Sequence, residues 1–214
     1  MFAASVTMAA KVQPMKLLHL DTSIQGDASA SRALSRAVVE RLTAQSPGSE
    51  VTYRDLAADP IPHLTGAEFA GQREEIDEGS PEAVRASAAT LAEFLAADTV
   101  VIGVAFYNFG IPSSLKAWID RITVAGKTFR YTAEGPQGLA GEKRVILAIT
   151  RGGFYGPESG RQGFEHAESY LRTIFGFLGV TRLEVVAAEG MKGSDEQRER
   201  ALGAARDLAG ALPA

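Results

Sequence analysis

Three short segments gather the residue types that could do chemistry. The first runs Ser23-Ile24-Gln25-Gly26-Asp27-Ala28-Ser29-Ala30-Ser31-Arg32 and is dense in hydroxyl and small side chains. At a helix start such residues leave backbone N–H groups free for an anion, and the helix dipole adds to the attraction. Ser29 or Ser31 could equally do no more than cap that helix. No Gly-Lys-Ser/Thr is present there, so a nucleoside triphosphate loop is disfavoured. The second segment is Phe106-Tyr107-Asn108-Phe109-Gly110-Ile111-Pro112. Aromatic residues crowded into a loop need something to cover: a flat heterocycle, a partner subunit or the chain's own core. Asn108 adds both a donor and an acceptor for a ring edge. The third is Thr150-Arg151-Gly152-Gly153-Phe154, whose paired glycines allow close approach of backbone to a ligand. With Gly156 they form a poor dinucleotide fingerprint, because the spacing is wrong and the loop lies late in the chain.

The elements that must position these segments read as an alternation of buried strands and amphipathic helices. Strands are expected at 17–20, 51–56, 99–105, 145–150 and 182–188. The third, Thr-Val-Val-Ile-Gly-Val-Ala, has the unbroken apolar run of a strand buried on both faces. Helices follow, carrying Leu34, Val38 and Leu42, then Val84, Ala88, Leu91 and Leu95 behind Pro81, then Leu115, Trp118, Ile119 and Ile122 behind Pro112. Further helices are expected over 164–178 and 196–212, a polar loop over 59–80, and a small hairpin within 125–141. The sum is an α/β chain: a flavodoxin-like, doubly wound, five-stranded parallel sheet with helices on both faces. Ligands of such sheets bind beyond the carboxyl ends of the strands, so the loops after strands one, three and four should share one crevice. A phosphate seat, an aromatic shelf and a glycine-lined edge around one crevice suit a phosphorylated flat cofactor, FMN best of all.

Bulk properties narrow the rest. The chain has 214 residues, 45% of them apolar and 22% charged, which suits one ordinary domain. A formal net charge of −4 argues against a nucleic-acid partner. With no cysteine, thiolate metal sites, disulfides and a Cys nucleophile are excluded, and redox chemistry must come from a cofactor. His19, His63 and His166 form no His-x-x-x-His pair, so no metal is expected. No apolar run reaches the length of a membrane helix. Residues 1–14 lack the positive start of a secretory signal and read as a dispensable extension, with a single domain over 15–214.

Several segments together resemble the FMN-dependent NADH-azoreductases, also described as NAD(P)H:quinone oxidoreductases. They are Asp55-Leu-Ala-Ala-Asp-Pro-Ile-Pro62, Tyr107-Asn-Phe109, Phe129-Arg-Tyr-Thr132 with Gly135-Pro-Gln-Gly-Leu139, Arg151-Gly-Gly153 and Gly176-Phe-Leu-Gly179. The resemblance runs from about Met15 to the final helix. It implies that Ser23, Ser29, Ala30 and Ser31 hold the FMN phosphate and ribityl end. Phe106, Tyr107, Asn108 and Phe109 would border the isoalloxazine, with Thr150, Arg151, Gly152 and Gly153 at its pyrimidine side. Arg73, Phe109, Tyr131 and Phe177 would line the substrate cavity. Thr150 stands where the family has a serine, and Ala30 where it has a polar residue, which removes one hydrogen bond to the phosphate.

The resemblance further implies a cytoplasmic homodimer with its active site at the subunit interface. NADH or NADPH would reduce the flavin and leave. A quinone or an aromatic azo compound would then accept the electrons in the same space, a ping-pong cycle that ends in amines for the azo compound. No side chain need act as nucleophile, and Tyr131 is a candidate proton donor. The rival reading is a flavodoxin-type electron carrier that serves a protein partner. A third is a flavin-free interaction module of the same fold.

Overall fold

The computed structural model describes residues 14–72 and 77–213. In chain order the elements are β1 (Lys16–Asp21), α1 (Ala30–Gln45), β2 (Glu50–Asp55), α2 (Gly66–Gly71), α3 (Glu82–Ala96), β3 (Thr99–Ala105), α4 (Ser113–Ile122), β4 (Phe129–Thr132), β5 (Gly135–Gly138), β6 (Arg144–Thr150), α5 (Glu168–Phe177), β7 (Arg182–Ala188) and α6 (Asp195–Gly210). Five strands pair in the order β2-β1-β3-β6-β7, all parallel. The expected doubly wound sheet is therefore present, and β4 and β5 form the expected antiparallel hairpin.

The pleat explains why β3 and β6 read as unbroken apolar runs. Alternate side chains along them serve two separate cores. Val100, Ile102, Val104, Val145, Leu147 and Ile149 face one way, against Phe94 of α3, Trp118 of α4 and Phe175 of α5. Val101, Ile146 and Ala148 face the other way, against Leu34, Val38 and Leu42 of α1 and Ala205 and Ala209 of α6. Phe94 and Trp118 meet edge to face, with ring centroids 5.7 Å apart.

Two expectations need correction. The stretch over 59–80 is not simply a loop, since it contains α2. Its start is a capping box: Glu68 N donates to Thr65 Oγ1 at 3.3 Å, and Thr65 N donates to Glu68 Oε2 at 2.8 Å. The helix expected over 164–178 begins at Glu168, because Glu165 accepts from Glu168 N and Ser169 N at 2.9 and 3.1 Å and so caps the start. Residues 162–164 form a single 3-10 turn instead.

A polar network joins buried His19 and Asp21 of β1 to buried Ser35 of α1 and to Tyr53 of β2. Asp21 accepts from Ser35 Oγ at 2.8 Å and from the Tyr53 hydroxyl at 3.1 Å, while His19 Nε2 lies 2.9 Å from Ser35 Oγ. Burial alone would raise the Asp21 carboxyl, but its bonds with His19, Ser35 and Tyr53 win and hold it below its ordinary value. Tyr53 is pushed up to about 12 by burial and by the Asp21 carboxylate. Gly103 of β3 leaves the room this network needs. A Cβ there would run into Asp21 Oδ1 and stand 3.0 Å from Ser35 Oγ and 3.2 Å from the Ser31 carbonyl oxygen. Gly103→Ala should therefore destabilise the chain by about 1–3 kcal/mol, as overpacking does. Urea unfolding monitored by circular dichroism checks this, and an unchanged midpoint would contradict it.

Candidate functional site

Right-handed crossovers send α1 and α3 to opposite faces of the sheet, and the reversal between β1 and β3 opens a crevice at the strands' carboxyl edge. A cavity of about 620 Å³ lies there, within the ~300–1,000 Å³ of small-molecule and cofactor sites. The loops after β1, β3 and β6 meet around it, as the sequence predicts. Ser23, Ser29, Ala30, Phe106, Tyr107, Asn108, Thr150, Arg151 and Gly152 all line it. Ser31 is buried directly behind the lining and bonds Ser29, hydroxyl to hydroxyl, at 3.0 Å. Gly153 is not among the lining residues, and a Cβ there would meet the Tyr155 ring at 3.4 Å.

Each loop has an identifiable anchor. Arg32 donates to the Ser23 carbonyl at 2.8 Å and to Asp55 Oδ1 at 2.7 Å, which ties the loop after β1 to the end of β2. The Arg32 bond holds the Asp55 carboxyl below its usual value, with backbone N–H groups of Ala58 and Ala57 adding to the effect. Ser29 caps α1 through a long 3.4 Å bond from Arg32 N. Among the described residues the backbone N–H groups of Ala30 and Ser31 find no acceptor. Both the capping reading and the free-donor reading of this segment thus hold at once.

The loop after β3 is strained. Tyr107 and Gly110 exchange two backbone bonds, 3.1 and 2.9 Å long, around Asn108 and Phe109. Both central residues have positive φ, 47° and 69°. Asparagine tolerates this region and phenylalanine does not. The turn is held from outside: the Tyr107 hydroxyl lies 3.1 Å from Ser23 Oγ, and His166 N donates to the Phe109 carbonyl at 2.9 Å. The strained turn leaves the Phe109 ring 46% exposed, tilted over Phe164 with centroids 5.4 Å apart.

The loop after β6 behaves differently from expectation in one respect. Arg151 lines the cavity, but its guanidinium is committed to Glu168 at 2.6 Å, Glu189 at 3.0 Å and Glu165 at 3.3 Å. Burial would lower its pKa, and the three carboxylates more than offset that and hold it cationic. Gly152 is not in the left-handed region, so no special backbone conformation requires it. Its open side faces the Lys192 stem, 3.0 Å from where a Cβ would stand.

Tyr131 and Phe177 are not among the residues lining this cavity. They belong to a second aromatic group built on Phe129, whose ring centroid is 5.5 Å from that of Tyr131 and 4.7 Å from that of Phe177. Arg73 lies outside the described residues. The lining also includes Met191, Lys192 and Arg198, which the sequence reading passed over. They follow β7, whose carboxyl end shares the same edge. Backbone bonds of 3.0 Å from Met191 N to Arg151 O and from Lys192 N to Gly152 O zip the two loops together.

The chain matches the model of a family described by its flavodoxin-like fold over residues 15–211. The chain belongs to this flavodoxin-like family. A Methylorubrum extorquens relative, named FMN-dependent NADH:quinone oxidoreductase, is 54% identical over 203 residues, covering 94% of this chain and all of the relative. A Pseudomonas putida relative, named FMN-dependent NADH:quinone oxidoreductase 1, is 52% identical over 195 residues, covering 90% of this chain and 95% of its own. Among solved structures, an azoreductase from Bacillus anthracis superposes with a TM-score of 0.81 at 31% identity, covering 92% of this chain and 97% of that one. A second from that organism, an FMN-dependent NADH-azoreductase in complex with FMN, gives 0.80 at 25%, covering 91% and 97%. No helix of the described residues is long and apolar enough to cross a membrane. No group of three or more His, Cys, Asp or Glu among them could hold a metal ion.

Phe109→Gly should separate stability from function in this flavodoxin-like chain. It relieves a left-handed non-glycine residue, worth about 1–2 kcal/mol, and sacrifices a half-exposed ring. The expected thermal midpoint is unchanged or higher, while ligand turnover falls. A clear fall in midpoint would show that the ring supports the fold.

Proposed function

We propose that this chain is an FMN-dependent NADH:quinone oxidoreductase that also cleaves aromatic azo compounds. One observation carries the reading: a single cavity at the sheet's switch point combines unaccepted helix-start N–H groups, an aromatic turn and no lining carboxylate. That donor set fits a phosphorylated flat cofactor. The relatives' names and the azoreductase neighbours support FMN as the cofactor, NADH as donor, and quinones and azo compounds as acceptors.

In this reading Ser23, Ser29, Ala30 and Ser31 receive the phosphate and ribityl end on backbone N–H groups and hydroxyls. Phe106, Tyr107, Asn108 and Phe109 border the ring system. Thr150, Arg151, Gly152 and Gly153 present backbone to its polar edge, the Arg151 side chain serving to fix the loop. Bound FMN supplies the chemistry, accepting a hydride from a nicotinamide and passing electrons to an acceptor. The chain's residues place both substrates over one open face and exclude water from it. Arg73, Tyr131 and Phe177 are proposed for the acceptor side. Exposed Phe109, Tyr131, Phe154 and Phe164 support a homodimer in which a second copy completes the cavity. We assign the activity to one domain over 15–214, with residues 1–14 an extension, in a cytoplasmic protein.

A shared face requires the nicotinamide to leave before the acceptor enters. Initial rates against NADH at several quinone concentrations should give parallel double-reciprocal lines, with high quinone competing against NADH. Lines that intersect at all concentrations would mean two separate sites and would sink the shared-face mechanism.

A further inference from the structure

The start of α1, the proposed phosphate seat, carries no unpaired charge of its own. Arg32, the cation of the serine loop, turns away to Asp55 and the Ser23 carbonyl. Arg151, the cation of the glycine loop, turns away to three glutamates. The α1 start itself offers only neutral N–H groups and hydroxyls, and Ala30 adds no side-chain donor. A phosphomonoester near neutral pH carries roughly −1.5 to −2 charges.

Two cations in the lining are uncommitted. Neither Lys192 Nζ nor the Arg198 guanidinium makes an ion pair or hydrogen bond with any described residue. Lys192 is placed by its backbone bond to Gly152 O and by its stem, which lies 3.0–3.2 Å from the Cβ position of Gly152. Arg198 stands in the first turn of α6, behind the Ser194 cap. A cation there opposes the helix dipole, and Asp195, Glu196 and Glu199 nearby in sequence do not pair with it. Its position does nothing for its own helix. It does serve the neighbouring one: α6 packs beside α1 over the same core, and both helices begin at the carboxyl edge of the parallel sheet. The two helix starts therefore share the rim of the cavity, with no carboxylate in its lining.

We propose that Lys192 and Arg198 are the charged half of the phosphate seat, closing over the 5′-phosphate of FMN and selecting phosphorylated flavin over riboflavin. The proposal rests on the reading that FMN occupies this cavity. Gly152 is then required as much for the Lys192 stem as for the ligand, and the two cations replace the hydrogen bond that Ala30 omits.

The test is titration of the full chain, freed of flavin, with FMN and with riboflavin, for the parent and for the double variant Lys192→Gln/Arg198→Gln. The proposal expects FMN affinity to fall about 10- to 100-fold, at about 1.4 kcal/mol per tenfold, with riboflavin affinity unchanged. The charge-conserving Lys192→Arg/Arg198→Lys variant should keep most of the FMN affinity. Added salt should weaken FMN binding in the parent more than in the neutral variant. Unchanged FMN affinity in the neutral variant overturns the proposal and leaves the FMN reading standing. If FMN affinity holds and the KM for NADH rises instead, the cations serve the dinucleotide's phosphates, which also overturns it. Equal losses for FMN and riboflavin would mean a structural role and no phosphate contact. A parent that binds neither flavin defeats the FMN reading and this proposal with it.

Discussion

The reversal of strand order between β1 and β3 is the constraint on which the rest of the structure depends. Parallel strands with right-handed crossovers leave α1 on one face of the sheet and α3 on the other. The loops after β1 and β3 are forced apart there, and a crevice opens that no helix covers. The candidate site is arranged along that edge. The central strand β3 carries packing and is wholly buried along its length, while β1 adds the His19–Asp21 polar network. A rigid parallel sheet thus supplies positions, and loops of a few residues supply donors, rings and charge.

Each loop is held by its own anchoring contact. Arg32 bridges Ser23 to Asp55, joining the tips of two strands that the sheet already pairs below. The Asn108–Phe109 turn carries two consecutive left-handed residues and is kept in place by Tyr107 and His166. Arg151 is surrounded by three glutamates, so a buried guanidinium becomes a bracket between the β6 loop, the β7 loop and α5. Strain and buried charge concentrate at the edge where a ligand is expected, which is where such costs are tolerated.

Much of this was legible in the residues. The runs at β3 and β6 announce strands buried on both faces, and Pro81 and Pro112 mark helix starts. The switch-point rule brings three loops together without any coordinates. The side-chain directions were not legible. Nothing in Thr-Arg-Gly-Gly shows that Arg151 points into glutamates 14 to 38 residues away, nor that Gly152 makes room for Lys192. The capping box Thr65-x-x-Glu68 was readable but hidden in a polar stretch. Lys192 and Arg198 were missed because only three strand ends were considered, although β7 ends at the same edge. Tyr131 and Phe177 both pack on Phe129, a contact that their sequence positions do not display.

The central claim is that the crevice holds FMN and that NADH reduces it there. The most direct measurement is anaerobic. The purified protein, saturated with FMN, receives one equivalent of NADH while the flavin absorbance is followed, and then one equivalent of a soluble quinone. The account predicts that the yellow band bleaches with NADH alone, before any quinone is present, and returns when quinone is added. A protein that takes up no FMN, or whose bound flavin stays oxidised in NADH until quinone is present, would contradict it.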